Sequence, residues 1–333
     1  MTIRDELFAY AEDIGADTIG VCSAEAFEAL VPNRQKPSTT VQNMKSMIVF
    51  ARHMLAGALT HDSQPYQGMN SHLAAFEIDE LSHKIARWLE DRGALAVPVP
   101  NEAVFTDIDK KPAGSLDFKW VAEAAGIGTV GLDLNLLTPD HGPRVYLGVV
   151  MTDRKIEPTA PLERDLCPGM SCGRCAVICP TQAVPTEAPL ADGVRDYRYL
   201  QKKRCSFGAS RIGARSLIMN LRAAAAAPHD IDTDAAIDSL YVRDFWQSLN
   251  SKAGAFAACF ECWYICPIGK KDFKPMYRAP TRKNDLPKGS VEHIKEDGVH
   301  RVIHRGPPEE RRHEYERDRE LANILNIDAI PRQ

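Results

Sequence analysis

The 333-residue chain has no run of about eighteen apolar residues, which argues against a membrane-spanning helix. Its start, Met1-Thr-Ile-Arg-Asp-Glu-Leu7, has neither a twin-arginine pair nor an apolar signal core. A cytoplasmic protein with no membrane partner is therefore expected. Positive charge is not in excess: the net charge is −4, so no global field draws the chain to nucleic acid. A dinucleotide fingerprint is also missing. Gly126, Gly128 and Gly131 have the spacing G-x-G-x2-G, but no strand leads into them and no helix clearly follows. A disulfide framework is disfavoured because such chains are small and secreted. What remains is an ordinary globular composition, 44% hydrophobic and 26% charged, long enough for one large domain or two ordinary ones.

The informative residues are cysteines. Eight of nine fall into one pattern. The first group reads Cys167-Pro-Gly-Met-Ser-Cys172-Gly-Arg-Cys175-Ala-Val-Ile-Cys179-Pro180, and the last reads Cys259-Phe-Glu-Cys262-Trp-Tyr-Ile-Cys266-Pro267. Cys205 stands between them. Two C-x2-C-x3-C-P runs with cysteines upstream are the spacing of two [4Fe–4S] clusters of the bacterial ferredoxin kind. Zinc also uses C-x2-C pairs, but seldom this run twice. In two-cluster folds the cysteine before proline serves the other cluster. That rule groups Cys167, Cys172 and Cys175 with Cys266, and Cys205, Cys259 and Cys262 with Cys179. Gly169 stands where the usual first cysteine would be, two residues after Cys167. Cys22, in the apolar run from Thr18, reads as a small core residue.

Residues 1–158 alternate helix and strand. Helices are expected over 4–14, 70–92 (ended by Gly93) and 117–125, with strands over 18–22, 46–51, 94–100 and 145–151. That alternation predicts an α/β or α+β domain. Residues 159–275 form the cysteine module, with helical stretches near 222–227 and over 233–249. Residues 276–333 read as a charged C-terminal extension, solvated or draped on the core. No internal repeat appears apart from the paired cysteine runs. Between domain and module, a helix stop at Gly126 precedes a glycine-rich loop and the turns Thr138-Pro139 and His141-Gly142-Pro143. The small residues at 126, 128 and 131 would let a backbone approach a flat ligand, or are ordinary turn glycines.

Segment 124–153 followed by the eight-cysteine module resembles the cobalamin-dependent reductive dehalogenases and their relatives, the epoxyqueuosine reductases. The phrase Leu137-Thr-Pro-Asp-His-Gly-Pro-Arg-Val145 is similar to the dehalogenase branch, and the likeness runs from about residue 5 to 272. It implies an α+β protein: a nitroreductase-like α/β cobalamin-binding domain fused to a two-[4Fe–4S] ferredoxin module. Base-off cobalamin would lie against the loops at Gly126, Gly128, Gly131, Thr138 and Gly142, with Asn101 matching a dehalogenase asparagine. Electrons would come from a low-potential donor such as ferredoxin or flavodoxin. His141 lacks the spacing of a cobalt-ligating motif and reads as a turn residue.

The proton donor departs from the family pattern. The dehalogenase tyrosine falls nearest Tyr66, and its basic partner falls where this chain has Leu132. The epoxyqueuosine reductase aspartate falls near Pro112, with Asp107, Asp109 and Asp117 close by. Tyr66 and Asp117 are the catalytic candidates, with His72 and Asp133 behind them. Three readings follow. The first is reductive cleavage of a carbon–heteroatom bond, such as carbon–halogen, on a small organic substrate. The second is epoxyqueuosine reduction on tRNA, in which the basic stretch 278–288 could meet phosphates. The third is a non-catalytic electron-transfer or corrinoid-reducing protein.

Overall fold

The computed structural model describes residues 2–29, 36–60, 64–101, 104–106, 112–114, 116–179, 183–184, 190–191, 194–195, 200, 205, 259–269, 291–296 and 299–304. The helical stretches expected near 222–227 and over 233–249, the basic stretch 278–288, and Asp107 and Asp109 lie outside these residues.

The chain opens with α1 (Ile3–Asp13), started by a capping box in which Thr2 and Asp5 bond each other's backbone N–H. Then come β1 (Thr18–Ser23), α2 (Ala24–Glu28), α3 (Pro37–Thr40), β2 (Ser46–His53), α4 (Ala56–Leu59) and α5 (Gln64–Glu90). Next are β3 (Ala96–Val99), β4 (Val104–Thr106), β5 (Pro112–Gly114), α6 (Phe118–Ala124), β6 (Thr129–Val130), β7 (Leu136–Leu137) and β8 (Val145–Thr152). Helix α5 starts six residues earlier than its apolar rhythm indicates. Pro65 hides the start, yet proline is tolerated in a first turn because its missing N–H has no helical partner there.

The core is a four-stranded sheet in the order β1-β2-β8-β3, antiparallel throughout. Its two faces follow the period-two alternation of β2. Ile48 and Phe50 face α1 and α5, where Leu7, Ile78, Ile85 and Leu89 are fully buried. Met47, Val49 and Ala51 face α2 and α6, meeting Phe27, Val121 and Ala122. Each such large aliphatic side chain contributes about 1.5–3 kcal/mol by burial. Gly148 is paired with Phe50. A Cβ there would lie 2.4 Å from the Phe50 ring and 2.9 Å from Ser82 Oγ, so its absence lets α5 settle on the sheet. The molecule is therefore a mixed α+β protein, with helices on both faces of an antiparallel sheet.

Cys22 is 4% exposed in the α6-side core. Burial pushes its thiol up to about 12. Cys22→Ala is expected to leave metal content unchanged and to cost about 1–2 kcal/mol of stability in denaturant melts. The sign of the pH effect follows from the raised folded-state value. The thiol's contribution is intact below its ordinary value near 9.0 and is lost as pH climbs towards about 12. The alanine variant should therefore lose less stability across that window.

Within 276–333 the structure adds an antiparallel hairpin, Val291–Glu296 with Val299–His304. The sequence there carries Asp297-Gly298 between strand-forming residues, a two-residue hairpin signal hidden by the charged composition.

Candidate metal centre

Two short segments carry seven of the described cysteines, and Cys205 lies between them in sequence. The first holds Cys167, a 3-10 turn at Gly169–Ser171 ending at Cys172, and α7 (Arg174–Ile178), which contains Cys175 and is followed by Cys179. The second is α8 (Glu261–Ile265), which carries Cys262 and is followed by Cys266. Both helices are one turn long, and in both the cysteine before proline leaves the helix in extended conformation. Backbone N–H groups point at sulfur: Gly169 N donates to Cys167 Sγ at 3.4 Å, and Ala183 N to Cys179 Sγ at 3.2 Å.

Seven of the thiols, Cys172 not among them, interact electrostatically in two groups. Cys266 feels Cys167, and Cys175 feels both Cys167 and Cys266. Cys205 feels Cys179, and Cys259 feels Cys179 and Cys205. Cys262 is coupled to Cys259 and Cys205 and also to Cys175, so the groups are neighbours. Desolvation is the main cause of each upward shift. It pushes Cys205 up to about 11 and Cys259 and Cys266 up to about 12, with Cys175 and Cys262 also raised. Half-buried thiols with raised values stay protonated near neutral pH unless a metal displaces the proton, so iron binding should release protons and tighten with rising pH.

The β6–β7 hairpin inserts its tip into this cysteine region. Leu132 packs with Ala176 and Val184, beside Cys167, Cys175 and Cys179. Asn135 Nδ2 donates to Cys262 Sγ at 3.4 Å and to Asp133 Oδ2 at 3.0 Å. Asp133 is buried, and desolvation pushes its carboxyl above the usual range. Leu134 takes a left-handed conformation at the tip, φ 60°. Asn135 was not legible as a site residue, since its only sequence signal is its place in a glycine-rich loop.

On the Cβ side, the loops expected to meet cobalamin at Gly126, Gly128, Gly131, Thr138 and Gly142 pack against the chain itself. A Cβ on Gly126 would lie 2.0 Å from the Ala160 carbonyl oxygen, and one on Gly128 would lie 2.3 Å from that of Leu137. At Gly131 the neighbours are Leu137 and Asp133 side chains. At Gly142 it is the Ile268 carbonyl oxygen, at 2.1 Å. Thr138 Oγ1 donates to the Gly142 carbonyl and accepts from His141 N, bracing its own turn. Asn101 donates from Nδ2 to the Leu147 carbonyl, tying the end of β3 to β8.

The two catalytic candidates stand on helices packed on opposite faces of the sheet. Tyr66 is 56% exposed on α5, on one stripe with the exposed Met69, Leu73 and Phe76. Asp117 precedes α6, and both its carboxylate oxygens take Lys119 Nζ, at 2.6 and 2.7 Å. His72 stacks edge-on against Phe76, and its Nε2 is buried without a hydrogen-bond partner. His141 is a turn residue, as its spacing indicates, and it also stacks on His53 with ring centroids 4.7 Å apart and planes at 10°. His53 Nδ1 lies 2.8 Å from Asp17 Oδ2. Rings in nearly parallel planes do not aim their lone pairs at one point, so this trio is a stacked, hydrogen-bonded group rather than a metal cradle.

No family model matches the chain. Among curated proteins it is similar to epoxyqueuosine reductases. The likeness to that of Bacillus cereus is 28% identity over 207 residues, 55% of this chain and 52% of the relative. That to the Bacillus subtilis protein is 27% over 205 residues, 55% and 51%. The chain thus spans about half the length of the curated relatives it matches. Among solved structures, a catabolic reductive dehalogenase shares the fold with a TM-score of 0.54 at 17% identity, covering 80% of this chain and 32% of that one. An epoxyqueuosine reductase from Bacillus subtilis, with its catalytic aspartate loop swung out, matches with a TM-score of 0.50 at 20% identity, covering 84% and 69%.

Proposed function

We propose that the chain belongs with the epoxyqueuosine reductases, to which it is similar in sequence, and the reductive dehalogenases, whose fold it shares, and that it is an iron–sulfur reductase acting on a carbon–heteroatom bond. The observation that carries this is the packing of α7 against α8, which brings the two cysteine runs together across a long stretch of sequence. Thiol donors with N–H groups aimed at sulfur suit iron–sulfur ligation. Cys167, Cys172 and Cys175 with Cys266 would hold one [4Fe–4S] cluster, and Cys179, Cys205, Cys259 and Cys262 the other. Bound clusters supply one-electron chemistry at low potential. The protein's own part is to desolvate the thiols, to donate Asn135 N–H to Cys262, and to wall the site with Leu132 and the buried Asp133.

The loops at Gly126, Gly128, Gly131, Thr138 and Gly142 would meet a corrinoid through faces other than the Cβ sides, which the chain's own atoms cover. The exposed apolar stripe of α5 is a second surface that a corrinoid could cover. It flanks the cluster in which Met54, Leu59 and Ala74 pack on Phe260, next to Cys259. The substrate reading moves with the relatives: their names favour epoxyqueuosine over the halogenated small molecule that the Thr138–Val145 phrase favours.

The test is turnover by the anaerobically reconstituted chain, loaded with iron, sulfide and cobalamin and reduced with dithionite. Queuosine formed from an epoxyqueuosine-bearing tRNA stem-loop, with no halide released from halophenols, is the expected result. Halide release alone would move the protein to the dehalogenase reading. Neither product, with reduction of a second protein's corrinoid, would support the electron-transfer reading.

A further inference from the structure

Arg144 is 4% exposed at the entry to β8, and its side chain leaves the sheet for the second cysteine run. Its Nη1 donates to the carbonyls of Trp263 and Cys266, each at 3.2 Å, and its Nη2 donates to that of Ile268 at 2.6 Å. These are C-terminal carbonyls of α8 and of the turn after it, groups that a helix end leaves without intrahelical partners. The same turn is pinned from the other side. Gly142 and Gly269 meet backbone to backbone, both with positive φ, so Arg144 and its neighbour at 142 grip one short segment. The guanidinium and the Cys266 sulfur also sense each other's charge.

Burying a guanidinium is costly, and the carbonyl acceptors recover part of the lost hydration. An apolar side chain could fill the space but would bring no charge. One-electron reduction makes an iron–sulfur cluster more negative by one unit. A fixed cation in a low-dielectric wall stabilises that reduced form. Hydrogen bonding and charge around the ligands are among the levers that set cluster potentials.

We propose that Arg144 is a positioning residue that fixes the Cys266 turn and raises the reduction potential of the cluster that Cys266 helps to hold. The inference rests on the assignment of Cys266 to a [4Fe–4S] cluster. Its test is a dithionite redox titration, followed by electron spin resonance, of the full-length reconstituted protein and its Arg144→Gln and Arg144→His variants. Iron content is measured alongside. In Arg144→Gln, one cluster's midpoint should move to more negative potential while the other stays in place. In Arg144→His, that same midpoint should vary with pH more steeply than in the unmodified protein, because the imidazole carries the charge only when protonated. Unshifted midpoints in the glutamine variant would overturn the proposal. If that variant fails to assemble the cluster, the histidine variant decides, and an unchanged pH dependence there counts against the charge role. Absence of iron from the unmodified chain would instead sink the cluster assignment itself.

Discussion

Cys266→Ala is expected to damage the cluster that draws its other ligands from the first cysteine run, nearly one hundred residues earlier. Under the assignment proposed above, Cys266 completes the set of Cys167, Cys172 and Cys175, and its sulfur interacts electrostatically with that of Cys167. Iron should fall by up to about four atoms per chain, the content of one cubane. Spin resonance of the reduced variant should retain the signal of the other cluster and lose or convert this one. Cys179→Ala should do the converse. If Cys266→Ala altered only the cluster that depends on Cys259 and Cys262, the crossed arrangement would be wrong and each run would serve its own iron.

Gly142→Val should be the most disruptive change outside the cysteines. The residue has φ 57°, a conformation that costs an L side chain about 1–2 kcal/mol before any contact is counted. A Cβ would then stand 2.1 Å from the Ile268 carbonyl oxygen, and that backbone has no room to withdraw, because Gly269 lies against Gly142 N and the His141 and Asp140 carbonyl groups. The expected result is a lowered melting temperature together with loss of iron, since the Cys266 turn can no longer seat. A variant that kept its iron and its melting temperature but lost corrinoid affinity would show instead that Gly142 serves a ligand.

The elements that the sequence displays best are those with a strict period or a strong punctuation mark. Strands β2 and β8, the stops at Gly93 and Gly126 and the body of α5 fall where apolar rhythm and glycine place them. The early start of α5 escaped because Pro65 masquerades as a breaker. Cysteine spacing made the candidate ligands legible, as spacing is itself the chemistry of short ligand loops. The glycine loops are legible only in part, for a physical reason. A missing Cβ announces close approach but does not say what approaches, and here it is the chain's own carbonyls at Ala160, Leu137 and Ile268. Arg144 and Asn135 act on partners more than one hundred residues away, Trp263, Cys266, Ile268 and Cys262, so no local pattern could reveal them.

The most direct measurement is metal content with a visible spectrum after anaerobic reconstitution with iron, sulfide and hydroxocobalamin. About eight irons per chain, with the broad absorbance of [4Fe–4S] clusters bleached by dithionite, is the expected result for two complete sets of four thiolates. Retained cobalt in the same sample would add the corrinoid. One or two tightly held zinc ions and no iron would contradict the iron–sulfur assignment and, with it, the reductase.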